Sequence, residues 1–164
     1  MRWAGRDSAE PQVHDLFLAH YARLAGWARR LVDDDELAHD LVTEAFTRLL
    51  SHWSSVEDPL PWLHATIANL VRDHWRQRGR ERAALARLDA QPVHAREPDL
   101  DSRNVVRTLV QGLPERLRVP VLLHYYADLP VVQIAQVTGK AEGTVKRALF
   151  DARARMAAAL EEVP

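Results

Sequence analysis

The chain has 164 residues, a formal net charge of -1, 47% hydrophobic residues and 27% charged ones. That length fits one medium domain or two small ones, and the near-zero charge excludes a chain that grips polyanions through bulk charge. The absence of cysteine excludes disulfides, thiolate metal sites and cysteine nucleophiles, and it fits a reducing compartment.

No apolar signal-peptide core opens the sequence and no run approaches a membrane span, so a cytoplasmic protein without membrane insertion is expected. Residues 1 to about 11 read as a loose tail. Phe17, Tyr21, Leu24, Ala28 and Leu31 then recur at steps of three and four and predict a helix with one apolar face. The acidic run Asp33-Asp34-Asp35-Glu36 ends that helix and supplies a cap for the next. There, Leu37, Leu41, Ala45 and Leu49 form one stripe, widened by Ala38, Val42, Phe46 and Trp53, which predicts the most buried helix. Ser54 to Asp58 reads as a loop. Asp58 suits an N-cap, with Pro59 at the first helical position and Pro61 still in the first turn. Leu63, Ile67, Leu70, Val71 and His74 or Trp75 give a third helix its inner face. Trp62 and Trp75 fit the core. Beyond Trp75 the apolar period yields to Arg76, Arg78, Arg80, Arg82 and Arg87.

Residues 88–103, with Pro92 and Pro98 among scattered charges, have the composition of an extended linker. A second block begins with Val105, Val106, Leu109 and Val110. Leu113-Pro114 restarts a helix with proline at its first position, continued by Leu117, Val121, Leu122 and Tyr125. Pro120 should kink that segment or mark its true start. Next come Gln133-Ile134-Ala135-Gln136-Val137, the turn Thr138-Gly139-Lys140, and the run Glu142-Gly143-Thr144-Val145-Lys146-Arg147-Ala148-Leu149. A short apolar helix, a glycine turn and a basic helix form a helix-turn-helix, which sets the start of its second helix in the DNA major groove. Gly143 leaves that start unobstructed, and Thr144, Lys146 and Arg147 offer hydrogen bonds and charge. The same spacing also suits an ordinary αα-hairpin in a helical core. The expected fold is all-α: two small helical domains, 11–87 and 104–161, joined by the linker 88–103.

Several runs, in order, resemble the extracytoplasmic-function (ECF) group of bacterial RNA polymerase sigma factors. They are Phe17-Leu18-Ala19-His20-Tyr21, Asp40-Leu41-Val42-Thr43-Glu44-Ala45-Phe46, Trp62-Leu63 with Ile67-Ala68-Asn69 and Asp73-His74-Trp75-Arg76, then Leu113-Pro114 with Arg116 and Arg118, and finally Gly143-Thr144-Val145-Lys146. The resemblance covers roughly residues 13 to 160. It implies a region 2 helical bundle and a region 4 helix-turn-helix in a non-catalytic subunit that binds core RNA polymerase and recognises and opens promoter DNA. Thr43 stands where the family usually has glutamine and Pro130 where it has a serine cap, leaving Asp128 as a candidate cap. Ala148 and Asp151 stand where arginine is frequent.

The resemblance assigns Asp40, Thr43 and Glu44 to polymerase binding. Without it, Asp40 and Glu44, four apart on one helix face, would read as a solvated pair. It assigns Trp53, Ser54, Ser55 and Val56 to capture of a flipped base of the downstream promoter element, which needs an apolar wall and polar edges. Asn69, Arg72, Arg76 and Arg80 would follow the same element, at a period that suits a phosphate backbone. Glu142, Thr144, Lys146 and Arg147 would meet the upstream element. An anti-sigma factor is the further expected partner, an apolar helix-in-groove clamp over the faces around Asp40–Glu44 and Thr144–Arg147. The free protein is expected to be a monomer whose domains move independently on the linker.

The eight histidines show no metal-ligand spacing, and neither a Ser-His-Asp order nor a glycine-rich phosphate loop occurs. No catalytic residue, metal or cofactor is expected. Two other readings compete. A stand-alone helix-turn-helix regulator would dimerise on palindromic half-sites. An all-helical, metal-dependent enzyme would need convergent carboxylates and histidines.

Overall fold

The computed structural model describes residues 9–88 and 102–162, and among them the chain is helical without a strand. The expected linker therefore lies almost wholly outside the described residues. Helix α1 (Ala9–Val32) begins earlier than the sequence pattern suggested. Glu10 and Pro11 belong to its first turn, where an acid faces the positive end of the helix and a missing N–H costs nothing. It ends at Asp33, whose φ of 55° turns the chain, while its N–H bonds the Arg29 carbonyl at 2.8 Å. The Asp34 carboxylate accepts the Leu37 N–H at 3.0 Å and so caps α2 (Asp35–His52). A tight turn over Trp53–Ser55 leads to α3 (Pro59–Leu88).

Helices α1 to α3 close on Leu24, Leu31, Val42, Leu49, Leu63 and Ile67, all fully buried. Trp62 and Trp75 are only half-buried against this core, whereas Trp27 lies inside it at 4% exposure. Phe17 sits at the rim, its ring 4.5 Å from Tyr21 and 5.2 Å from Phe46. From Arg76 to Leu88 every residue of α3 is exposed, so the helix outruns the body it packs on.

The second block holds α4 (Ser102–Gly112), α5 (Glu115–Val121), α6 (Val131–Thr138) and α7 (Glu142–Glu161). Pro114 precedes α5 as its cap residue, with extended ψ of 140°, instead of opening the helix. Pro120 does lie inside α5, where it removes the N–H that would bond the Arg116 carbonyl. The break takes the form of a wider π-type turn over Leu122–Tyr126, closed by the Ala127 N–H on the Leu122 carbonyl at 3.2 Å. Asp128 is not the cap of α6. It takes a left-handed φ of 55° to reverse the chain, and Pro130 occupies the cap position with no side-chain hydrogen bond.

The two blocks do not stand apart. Helix α3 packs against α5 and α6, and the buried side chains of both blocks form one continuous core. The Trp27 indole N–H donates to the Tyr126 carbonyl at 2.9 Å. Arg76 reaches Glu115 at 3.0 Å, and Arg107 reaches Asp33 at 3.4 Å. The composition of the linker led us to expect few contacts between the blocks, and in this structure they share an interface. Bundles this small cannot bury all their apolar surface alone, and each covers part of the other's.

His64 sits at this joint. Its Nδ1 is 3.0 Å from the Leu60 carbonyl and its ring meets Trp27 edge-on at 5.0 Å. Burial pushes its pKa below the ordinary value of 6.5, the Leu60 hydrogen bond opposes this, and nearby His20 adds slightly to it. The unfolded chain therefore binds the proton more readily than the folded one. The stability His64 contributes is complete above that ordinary value and is lost as pH falls through the lowered one. The urea midpoint should drop between about pH 7.5 and about pH 5.5, and His64→Gln should flatten that drop. An equal drop in the variant would assign the effect to other groups.

Candidate polymerase and nucleic-acid interfaces

The helix-turn-helix forms because Gly139 can adopt φ 65°, which ends α6. The N–H groups of Gly139 and Lys140 both close on the Ala135 carbonyl. The Thr138 hydroxyl donates back to the Ile134 carbonyl at 2.6 Å. Helix α7 then starts without a side-chain cap on Ala141. Its Val145, Ala148, Leu149 and Ala152 are buried against α5 and α6. That leaves Glu142, Thr144, Lys146 and Arg147 exposed on its first turns. A Cβ on Gly143 would meet nothing within 4 Å, so the surface there is open. A shallow cleft of about 330 Å³ runs beside it, lined by Arg116, Pro120, Lys140, Thr144 and Arg147. Arg116 and Lys140 join this basic rim from α5 and the turn, and no periodic pattern marks either.

On α2, Asp40, Thr43 and Glu44 share one exposed face, opposite the buried Ala38, Val42, Ala45 and Leu49. Glu44 accepts from Arg48 at 2.7 Å. The Thr43 hydroxyl lies 3.4 Å from the Tyr21 hydroxyl, which is in turn 2.8 Å from His39. Beside Thr43, an open groove of about 370 Å³ runs between α1 and α2, lined by Val13, His14, Phe17, Phe46, Thr47 and Leu50. The sequence pattern missed this groove because it assigned Phe17 to the interior.

Trp53 and Val56 are half-buried, with Ser54 and Ser55 exposed between them. The Ser55 hydroxyl donates to the His52 carbonyl at 2.9 Å. On α3, Asn69 and Arg72 are half-buried, and Arg76 and Arg80 are exposed. Here the structure differs from a bare phosphate track. Arg72 bonds Asp73 at 2.9 Å and lies 3.6 Å from Glu115, and Arg76 bonds Asp73 and Glu115 at 3.2 and 3.0 Å. Two of the four side chains expected on DNA are thus turned toward α5 in this conformation. No described helix is long and apolar enough to cross a membrane.

The Sigma-70 region 2 family matches residues 16–81 and the Sigma-70 region 4 family matches 103–156. The chain is 30% identical over 138 residues to the RNA polymerase sigma-E factor of Streptomyces avermitilis, covering 82% of this chain and 76% of that one. It is 31% identical over 171 residues to a Mycobacterium tuberculosis protein named "Probable ECF RNA polymerase sigma factor SigI". That match covers 94% of this chain but only 59% of the longer relative. The fold matches that of the sigma factor RpoE, solved in complex with the anti-sigma factor NepR from Bartonella quintana. The TM-score is 0.62 at 22% identity, covering 92% of this chain and 98% of that one.

A region 2 bundle followed by a region 4 helix-turn-helix defines a sigma-type initiation factor, a class of non-enzymatic transcription proteins. Within that class, the chain belongs to the ECF group of bacterial RNA polymerase sigma factors. It binds core RNA polymerase and directs promoter recognition and opening.

Proposed function

We propose that this sigma factor works through three separate surfaces on two units, 11–87 and 104–161. Asp40, Thr43 and Glu44 dock on core polymerase, with carboxylates that steer association toward a basic partner. The Trp53–Val56 turn and the side of α3 carrying Asn69, Arg72, Arg76 and Arg80 meet the downstream promoter element. Glu142, Thr144, Lys146 and Arg147 meet the upstream one. The observation that carries this reading is the bare start of α7, where four polar side chains are exposed over a fully apolar buried face. The Bartonella quintana relative is captured with an anti-sigma factor. The partner we propose here is of the same kind, acting in the cytoplasm and covering the Asp40–Glu44 and Thr144–Arg147 faces.

Run-off transcription tests this. Alone, the protein should bind duplex DNA weakly, since its net charge is -1 and its basic sites are separate. With core polymerase it should yield promoter-specific transcripts. In footprints of that complex, Lys146→Ala should lose protection at the upstream element, and Arg76→Ala with Arg80→Ala at the downstream one. Loss at the same element by both variants would refute the division. Tight, sequence-specific binding by the free protein as a dimer would favour the stand-alone regulator.

A further inference from the structure

We infer that Asp151 is a positioning residue that holds Arg147 as the reader of a guanine in the upstream element. The inference rests on the assignment of α7 to that element.

Asp151 lies one turn beyond Arg147 on α7. Its carboxylate is 20% exposed and is shared between two helices. One oxygen lies 3.1 Å from Arg147 Nε as an ion pair, and the other lies 3.5 Å from Arg116 Nη1 on α5. Both arginine side chains remain open to solvent, at 74% and 61%. The Arg147 guanidinium also rests 5.7 Å from the centre of the Phe150 ring, itself 61% exposed. One guanidinium is thus held by a carboxylate and beside an aromatic ring, while its outer edge faces solvent.

This arrangement suits recognition better than stability. An ion pair with so exposed a partner adds little to folding. A carboxylate near DNA would normally repel phosphates, and here two arginines offset it. What the contact achieves is geometric. An arginine on a recognition helix is long and freely rotating. A carboxylate paired beside its Nε restrains the side chain and leaves the two terminal amino groups free as a planar pair of donors. Such a pair matches the O6 and N7 acceptors that guanine presents in the major groove. Arg116 and Lys140 on the neighbouring cleft, with the exposed Lys146, suit phosphate contacts, which position without specifying. The aspartate at this position therefore passes the reading role to the arginine one turn earlier.

The test uses the full chain bound to core polymerase and a library of duplex promoters randomised across the upstream element. Wild type should enrich guanine at one position. Arg147→Ala should lose that preference by about tenfold or more while binding other sequences nearly as well. Arg147→Lys should not restore it. Asp151→Asn should weaken the preference several-fold yet keep or raise total binding at low salt, because a negative charge has gone. A protein in which Asp151 merely supported the fold would lose all binding together. Uniform weakening by Arg147→Ala with base preferences intact would make Arg147 a phosphate contact and overturn the inference. So would a wild-type preference in Asp151→Asn. Failure of the wild-type complex to protect the upstream element would instead overturn the assignment of α7, and the inference with it.

Discussion

Reversing Asp40 and Glu44 to lysine together should abolish binding to core polymerase and leave the helical fold intact. Both carboxylates lie on the exposed face of α2, and the opposite face holds the interior through Val42, Ala45 and Leu49. Nothing buried changes. Glu44 would lose its pair with Arg48, a contact with side chains 48% and 49% exposed, worth only about 0.3–0.5 kcal/mol. At the interface the effect is far larger. An attractive pairing becomes a like-charge one, which costs several kcal/mol and should lower affinity by roughly a hundredfold or more. Co-elution with core polymerase measures the loss, and far-ultraviolet circular dichroism verifies the fold. A double variant that still co-elutes would remove this face from the docking surface.

The second large effect is on stability. Trp27→Ala should destabilise the chain by about 3–5 kcal/mol, the usual cost of emptying a large buried aromatic site. It should also uncouple the blocks, because this side chain packs in the first and donates to the Tyr126 carbonyl of the second. Wild type should unfold in one cooperative step in urea, and the variant in two. Trp27→Phe keeps an aromatic ring but loses the hydrogen bond, so it should cost less and report mainly on that bond. A Trp27→Ala protein with an unchanged midpoint and a single transition would mean the joint carries no stability.

Much of the helical plan was legible in the residues. Steps of three and four mark the faces of α1, α2 and α3, the Asp34 carboxylate caps α2, and Gly139 ends α6. Helical period tells which face is inside, but not what it will lie against. Trp27 shows this. It lies next to the predicted stripe of Leu24, Ala28 and Leu31 without belonging to it, and only the folded chain reveals that its indole reaches the other block. The same limit hid Glu115. Nothing local in the sequence links it to Arg72 and Arg76, which lie about forty positions earlier and meet it through α3 packing on α5. Prolines mark the helix starts to within a residue. Pro114 fixes φ equally well just before a helix as at its first position, and Pro120 was absorbed by widening the next turn. With Pro130 in place of the family's serine cap, Asp128 is the candidate cap, but its left-handed backbone makes it a turn residue. The exposed residues of the three surfaces were found chiefly through resemblance, since charge on a helix face carries no address of its own.

The far end of α3 sets the mechanical reach of the protein. From Gln77 to Leu88 the helix is a bare spar about 18 Å long, at a rise of about 1.5 Å per residue. The chain thus leaves the first block at the spar's tip, not where the blocks touch. Between Leu88 and Ser102 there is enough backbone for roughly 45 Å when drawn straight. Were the interface between the blocks to open, that length would let them reach separate sites on one DNA duplex without unwinding a turn of either helix.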